Sequence, residues 1–197
     1  MKKRYRDGWT HHIEDYTLSA HSFSVYVPEA YDGKQPHGIV VWLGFGGPPR
    51  PQWTPAFDEA RLIYVAPSSG TYAVHNVGLA LDAVFNLADE YKIDKKRIYV
   101  AGSRAASQAA VGFPDVFAGL LATGDAQFFT GLNLGGGRTI WNHFGKPPQD
   151  ILERARRASR LVFLMPRDTP ENDDYRAIVT QGYQVQFKNV RVIEAAE

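Results

Sequence analysis

Ser22-Phe23-Ser24-Val25-Tyr26-Val27 alternates polar and large residues and stops at Pro28, the pattern of a half-buried strand at the edge of a sheet. Gly38-Ile39-Val40-Val41-Trp42-Leu43 is instead a continuous apolar run, ending in Gly44-Phe45-Gly46-Gly47-Pro48-Pro49. Runs of this kind belong to central strands covered on both faces. Leu62 to Ala66, Arg97 to Ala101, Ala118 to Ala122 and Leu161 to Met165 repeat it, and Val190 to Ile193 reads as a last strand. Helices fit between them. With Asn76 as N-cap, Val77, Leu81, Val84, Phe85 and Ala88 fall on one helical face. Lys92 to Lys96 reads as the turn into the next strand. Ala105 to Val111, Pro147 to Ser159 and Glu171 to Gln181 supply three more helices. Strands alternating with helices predict an α/β fold, a mainly parallel sheet with helices on both faces. The expectation is one domain over residues 1–197, with residues 1–20 as an N-terminal extension. Gln127 to Gly145 reads as a long irregular connection near the functional face.

Composition narrows the classes. A chain of 197 residues with 44% hydrophobic and 22% charged residues has the balance of an ordinary globular protein. A net charge of +1 gives no reason to expect nucleic acid, an anionic membrane or an acidic substrate. Cysteine is absent, which excludes disulfides, thiolate chemistry and cysteine-based metal sites. No stretch approaches the ~18 apolar residues of a membrane span. The basic start Met1-Lys2-Lys3-Arg4 lacks a following apolar stretch, so a cytoplasmic location is the default, with a secreted or periplasmic protein whose signal has been removed as the alternative.

In an open parallel sheet, ligands gather at the carboxyl ends of strands. These fall at Gly44 to Pro49, Pro67 to Gly70, Gly102 to Arg104, Gly124-Asp125 and Pro166 to Thr169. Val100-Ala101-Gly102-Ser103-Arg104-Ala105-Ala106-Ser107 carries most information, because a nucleophile elbow places a serine on a tight turn between strand and helix. Gly102 is there, but Arg104 and Ala105 stand where small flexible residues are wanted. Gly-Ser at a strand end is also ordinary turn chemistry.

Asn76 to Gly102, with Gly78-Leu79-Ala80-Leu81-Asp82-Ala83-Val84 and Arg97-Ile98-Tyr99-Val100-Ala101-Gly102, resembles the helix and strand entering the elbow of bacterial serine esterases. Arg104-Ala105-Ala106-Ser107-Gln108 and Phe113-Pro114-Asp115-Val116-Phe117-Ala118-Gly119 resemble the segment after it. The group is the polyhydroxybutyrate-depolymerase and feruloyl-esterase-like branch of the α/β-hydrolases, and the resemblance extends from Ser22 to Glu194. It implies a three-layer α/β-hydrolase sandwich and hydrolysis of a small-molecule or polymer ester. It implies Asp168 as acid, with oxyanion donors from Gly44, Phe45 and Arg104. The family's serine position falls among residues missing here, so Ser103 is the nucleophile only if the turn has re-formed around it, the simpler account being that the elbow is lost. The chain departs from the family at the elbow, where Gly102-Ser103-Arg104 replaces Gly-x-Ser-Gly-Gly-Gly-Arg and is about four residues shorter.

The rest of the triad is also changed. The fold orders its triad serine, acid, histidine, yet no histidine follows Asp168. Asp168 has a second reading as a loop or N-cap carboxylate before Glu171. His143, in Trp141-Asn142-His143-Phe144-Gly145, is the one substitute, and a lone loop histidine between aromatics otherwise packs or faces solvent. Without an imidazole, a serine hydroxyl is a poor nucleophile. His11, His12 and His75 have no acid or histidine at ligand spacing, so no metal and no cofactor is expected. The Gly44 to Gly47 stretch lacks a following Gly-Lys-Ser/Thr and is not a phosphate loop, and Gly135-Gly136-Gly137 is not a dinucleotide fingerprint. Glu153 to Arg160 is locally basic, the character of a solvated helix face. Two functions remain open: a serine esterase using Ser103, Asp168 and His143, or a family member without that chemistry, serving as a binding or assembly subunit and compatible with a homo-oligomer. A third account is that residues of the natural protein are missing at the turn and after Glu197.

Overall fold

The computed structural model describes residues 16–44, 46–68, 73–127, 132–135, 138–140, 146–166 and 172–194. Its strands are β1 (Phe23–Tyr26), β2 (His37–Leu43), β3 (Leu62–Pro67), β4 (Ile93–Gly102), β5 (Gly119–Thr123), β6 (Leu132–Gly135), β7 (Arg138–Ile140), β8 (Arg160–Met165) and β9 (Val190–Glu194). The helices are α1 (Thr54–Ala60), α2 (Ala73–Glu90), α3 (Arg104–Gly112), α4 (Gln149–Ala158) and α5 (Asp173–Ala177). Seven strands form a sheet that is mainly parallel, as the alternating pattern predicts, and their order is β1-β3-β2-β4-β5-β8-β9. The chain divides into two compact units, residues 1–101 and 102–197.

In the first unit, β1 is the antiparallel edge strand on β3, while β2 and β3 run parallel. The register pairs Ile39 with Ile63 and Val41 with Val65, and all four have no exposed surface. The opposite face carries Trp42 and Tyr64, which meet Trp53 and Phe57 with ring centres 5.1 and 5.5 Å apart. Phe57 belongs to α1, a helix absent from the sequence reading. The proline-rich Pro48-Pro49-Arg50-Pro51 ahead of it reads as loop, and Pro55 sits in the first turn, where its missing N–H costs nothing. Arg61 ends α1 with φ 51°, its N–H returning to the Asp58 carbonyl at 3.1 Å.

Two expectations change in this unit. α2 begins at Ala73, so Asn76 lies inside the helix rather than capping it. The helix is also buried nearly all round from Val77 to Leu87, with Phe85 half-buried and Ala88 exposed, so no single apolar face exists. Lys92 to Lys96 is not wholly a turn: β4 begins at Ile93, and Lys95 and Lys96 are exposed strand residues.

In the second unit β5, β8 and β9 are parallel neighbours. α3 packs on β5 and α4. α4 buries Leu152 and Ala155 and turns its charges outward, where Arg154 pairs with Asp150 and Asp115 at 3.0 and 3.1 Å. This fits the solvated basic face read from the sequence. The helix expected over 171–181 is α5 followed by a π-helical stretch, Ile178–Tyr183, and a last turn, Gln184–Gln186. Part of the supposedly irregular connection after Gln127 is the β6–β7 hairpin. Among the described residues, no helix is long and apolar enough to cross a membrane.

Candidate functional site

β4 runs out at Gly102, whose φ of 127° suits a residue without a side chain. Ser103 follows with φ −95° and ψ −146° and immediately precedes α3, its carbonyl accepting the Ala106 N–H at 2.8 Å. The serine is half-buried, and its hydroxyl makes no capping hydrogen bond to the helix. The backbone reversal is thus taken up by the glycine before the serine. Among the described residues, the one non-glycine positive φ belongs to Arg61.

Arg104, first residue of α3, extends into solvent and places Nε 2.5 Å from Oδ2 of Asp125. Asp125 follows Gly124, which has φ 76°, at the carboxyl end of β5. Two strand-end segments of the second unit are therefore bridged by an exposed ion pair. Beneath them lies a buried polar network that the sequence reading missed. Ser107, with no exposed surface, donates to the Arg104 carbonyl at 2.8 Å and accepts the Gln127 N–H at 2.8 Å. The Tyr183 hydroxyl donates to the Gln127 carbonyl, and Gln108 Nε2 donates to Gln127 Oε1. Burial raises the Tyr183 phenol, an effect its hydrogen bond with Ser107 opposes. Tyr175 donates to the Leu164 carbonyl at 3.2 Å, and burial, then the Asp125 charge, raises its phenol as well. This network fixes the chain leaving β5 to the body of α3.

The glycine-rich stretch after β2 lies in the first unit. Gly44 is half-buried, and a Cβ there would come 2.7 Å from Trp42 Nε1. Gly47 has φ 129° and accepts the Tyr64 hydroxyl at 3.2 Å. Phe45, Asp168 and His143 lie outside the described residues. Of the sequence-predicted site residues, the structure thus brings Ser103 and Arg104 to one turn beside Asp125. Among the described residues, no group of three or more potential metal ligands is found.

No protein-family model matches the chain. No curated protein matches it either. Solved structures do. A thermostable esterase superposes with a TM-score of 0.57 at 19% identity, over 88% of this chain and 50% of that one. Est1E from Butyrivibrio proteoclasticus gives 0.56 at 15% identity, over 89% and 84%. S-formylglutathione hydrolase from Staphylococcus aureus gives 0.59 at 14% identity, over 90% and 85%. The chain spans half the length of the first of these. Together with the strand order, these likenesses identify an α/β-hydrolase-like fold.

Proposed function

We propose that the chain keeps the frame of a carboxylic-ester hydrolase, of the polyhydroxybutyrate-depolymerase and feruloyl-esterase-like kind, but does not use Ser103 as a nucleophile. The Ser103 turn serves binding or assembly instead. The observation carrying this reading is the distribution of backbone strain. An elbow holds its serine in a strained turn so that Oγ stands clear at the top of the sheet. Here the positive φ falls on Gly102, while Ser103, the residue before α3, has a negative φ of −95°. Arg104 follows and is drawn to Asp125.

Turnover of p-nitrophenyl esters of several acyl lengths tests this, on the unaltered protein and on Ser103→Ala, Asp168→Asn and His143→Ala. The expected result is no turnover that any of these substitutions changes. A loss of roughly 10³-fold or more in all three, the mark of residues acting as one unit, would establish a working triad and overturn the proposal.

A further inference from the structure

Ser68 and His21 form a serine–histidine pair in the first unit, outside the residues assigned above. Ser68 stands just past the carboxyl end of β3, one of the positions where a parallel sheet presents ligands. The β1–β3 pairing continues one step to hold it: its N–H donates to the Ser22 carbonyl at 2.8 Å, and the Ser22 N–H donates to its Oγ at 3.2 Å. Oγ also lies 3.3 Å from His21 Nδ1. In the tautomer protonated at Nε2, His21 Nδ1 accepts the Ser68 proton, while the Ser22 N–H donates to the same oxygen. A hydroxyl within hydrogen-bond reach of an imidazole, at a somewhat loose distance before substrate binds, is the signature of an activated nucleophile.

Three further features hold the pair. The His21 ring meets the Tyr16 ring edge-on, centres 5.8 Å apart and planes at 84°. The Tyr16 hydroxyl donates to the carboxylate of Asp82, which has no exposed surface, and the same ring touches the buried His75 at 5.8 Å. An interior acid thus anchors the tyrosine that positions the histidine. Gly46 passes so close that a Cβ on it would lie 3.0 Å from Ser68 Cα and 3.2 Å from the Pro67 carbonyl oxygen. The backbone of the glycine stretch after β2 therefore lies against this serine. Ser68 and His21 are both half-buried, and Ser22 is exposed, so the pair opens to solvent.

We propose that Ser68 is an acyl-accepting nucleophile with His21 as its base, reactive toward small activated carboxylic esters and their phosphonate analogues. In the reaction Ser68 Oγ bonds to the acyl carbon and its proton passes to His21 Nδ1. The bond to the leaving alkoxide then breaks, and the alkoxide takes that proton, leaving acyl-Ser68 and neutral His21. The proposal goes beyond the reading of Ser103, which concerns the other serine alone.

An alkyl fluorophosphonate, followed by intact-mass measurement and peptide mapping of the unaltered protein, tests it. The expected result is one adduct per chain, on Ser68. Ser68→Ala abolishes it, and His21→Gln slows its formation by about 100-fold or more, the scale of general-base assistance. Because the adduct is located in unaltered protein, its position is read whether or not a variant folds. Melting of His21→Gln followed by circular dichroism separates slow chemistry from lost structure, and slow labelling that tracks unfolding overturns the role of His21. Failure to form an adduct, or an adduct elsewhere, overturns the proposal. An adduct on Ser103 overturns the preceding one too, whereas the absence of any adduct leaves that reading standing.

Discussion

Tyr183 and Arg104 make polar contacts of opposite worth. Tyr183 is fully buried and donates to the carbonyl of half-buried Gln127, so Tyr183→Phe leaves that acceptor without its partner. That costs about 1–3 kcal/mol, since a buried polar group stripped of its partner pays its whole desolvation penalty. The Arg104–Asp125 pair is charged, yet its side chains are 61% and 36% exposed. Water and salt screen such a pair, and Arg104→Ala is expected to cost no more than about 1 kcal/mol. Urea unfolding of the two variants checks the ranking, and a larger loss for Arg104→Ala would show that the ion pair, not the network beneath, holds the turn. Of these residues only those at the turn are legible in the sequence. Gly102-Ser103-Arg104 announces itself as a strand-to-helix junction, while Tyr183 and Gln127 are 56 residues apart and nothing local pairs them.

Among the elements, β2 shows how tightly the first unit is drawn together. A Cβ on Gly38 would lie 2.5 Å from both the Arg97 carbonyl oxygen and Leu62 Cδ2. The leucine methyl can move, but the carbonyl belongs to β4 and cannot shift without the strand. Gly38→Ala is therefore expected to destabilise by about 1–3 kcal/mol, as overpacking of a filled interior does. A urea midpoint unchanged from the unaltered protein would mean that β2 and β4 can separate at no cost. The apolar run from Gly38 to Leu43 was readable as a central strand because burial on both faces leaves no polar alternation. α2 was misread for a related reason: a helix enclosed on nearly all sides has no preferred face, so helical spacing selected Ala88, which is exposed, and passed over Leu79, Ala80 and Ala83, which are not. Elements with one wet face, such as α4, carry the cleaner signal. α1 went unread because the proline-rich approach and its short length hide a helix anchored mainly through Phe57.

For the molecule as a whole, the alternation of strands and helices made the α/β class readable, whereas its behaviour with pH depends on tyrosines whose environment no sequence pattern discloses. Tyr26 is raised to about 12, first by the hydrogen bond it donates to Asp58 at 2.6 Å. Burial raises Tyr64 to about 12 and lifts Tyr175 and Tyr183 as well. In an unfolded chain a tyrosine ionises near ~10. Above that pH the unfolded chain releases protons that these folded phenols retain, so the native state binds more protons and loses stability as pH rises. The contribution is complete below pH ~10 and disappears as pH climbs through about 12, the folded value of Tyr26 and Tyr64. Urea unfolding is therefore expected to give a steady free energy just below this window and a falling one within it. Tyr64→Phe should be the diagnostic variant: its ring stays against Phe57, and it removes one titrating phenol, so its pH slope is shallower than that of the unaltered protein. A parallel slope for the two proteins would show that Tyr64 ionises as readily folded as unfolded. Absorbance of the folded protein at alkaline pH gives an independent reading, because retained protons delay the appearance of tyrosinate until the chain unfolds.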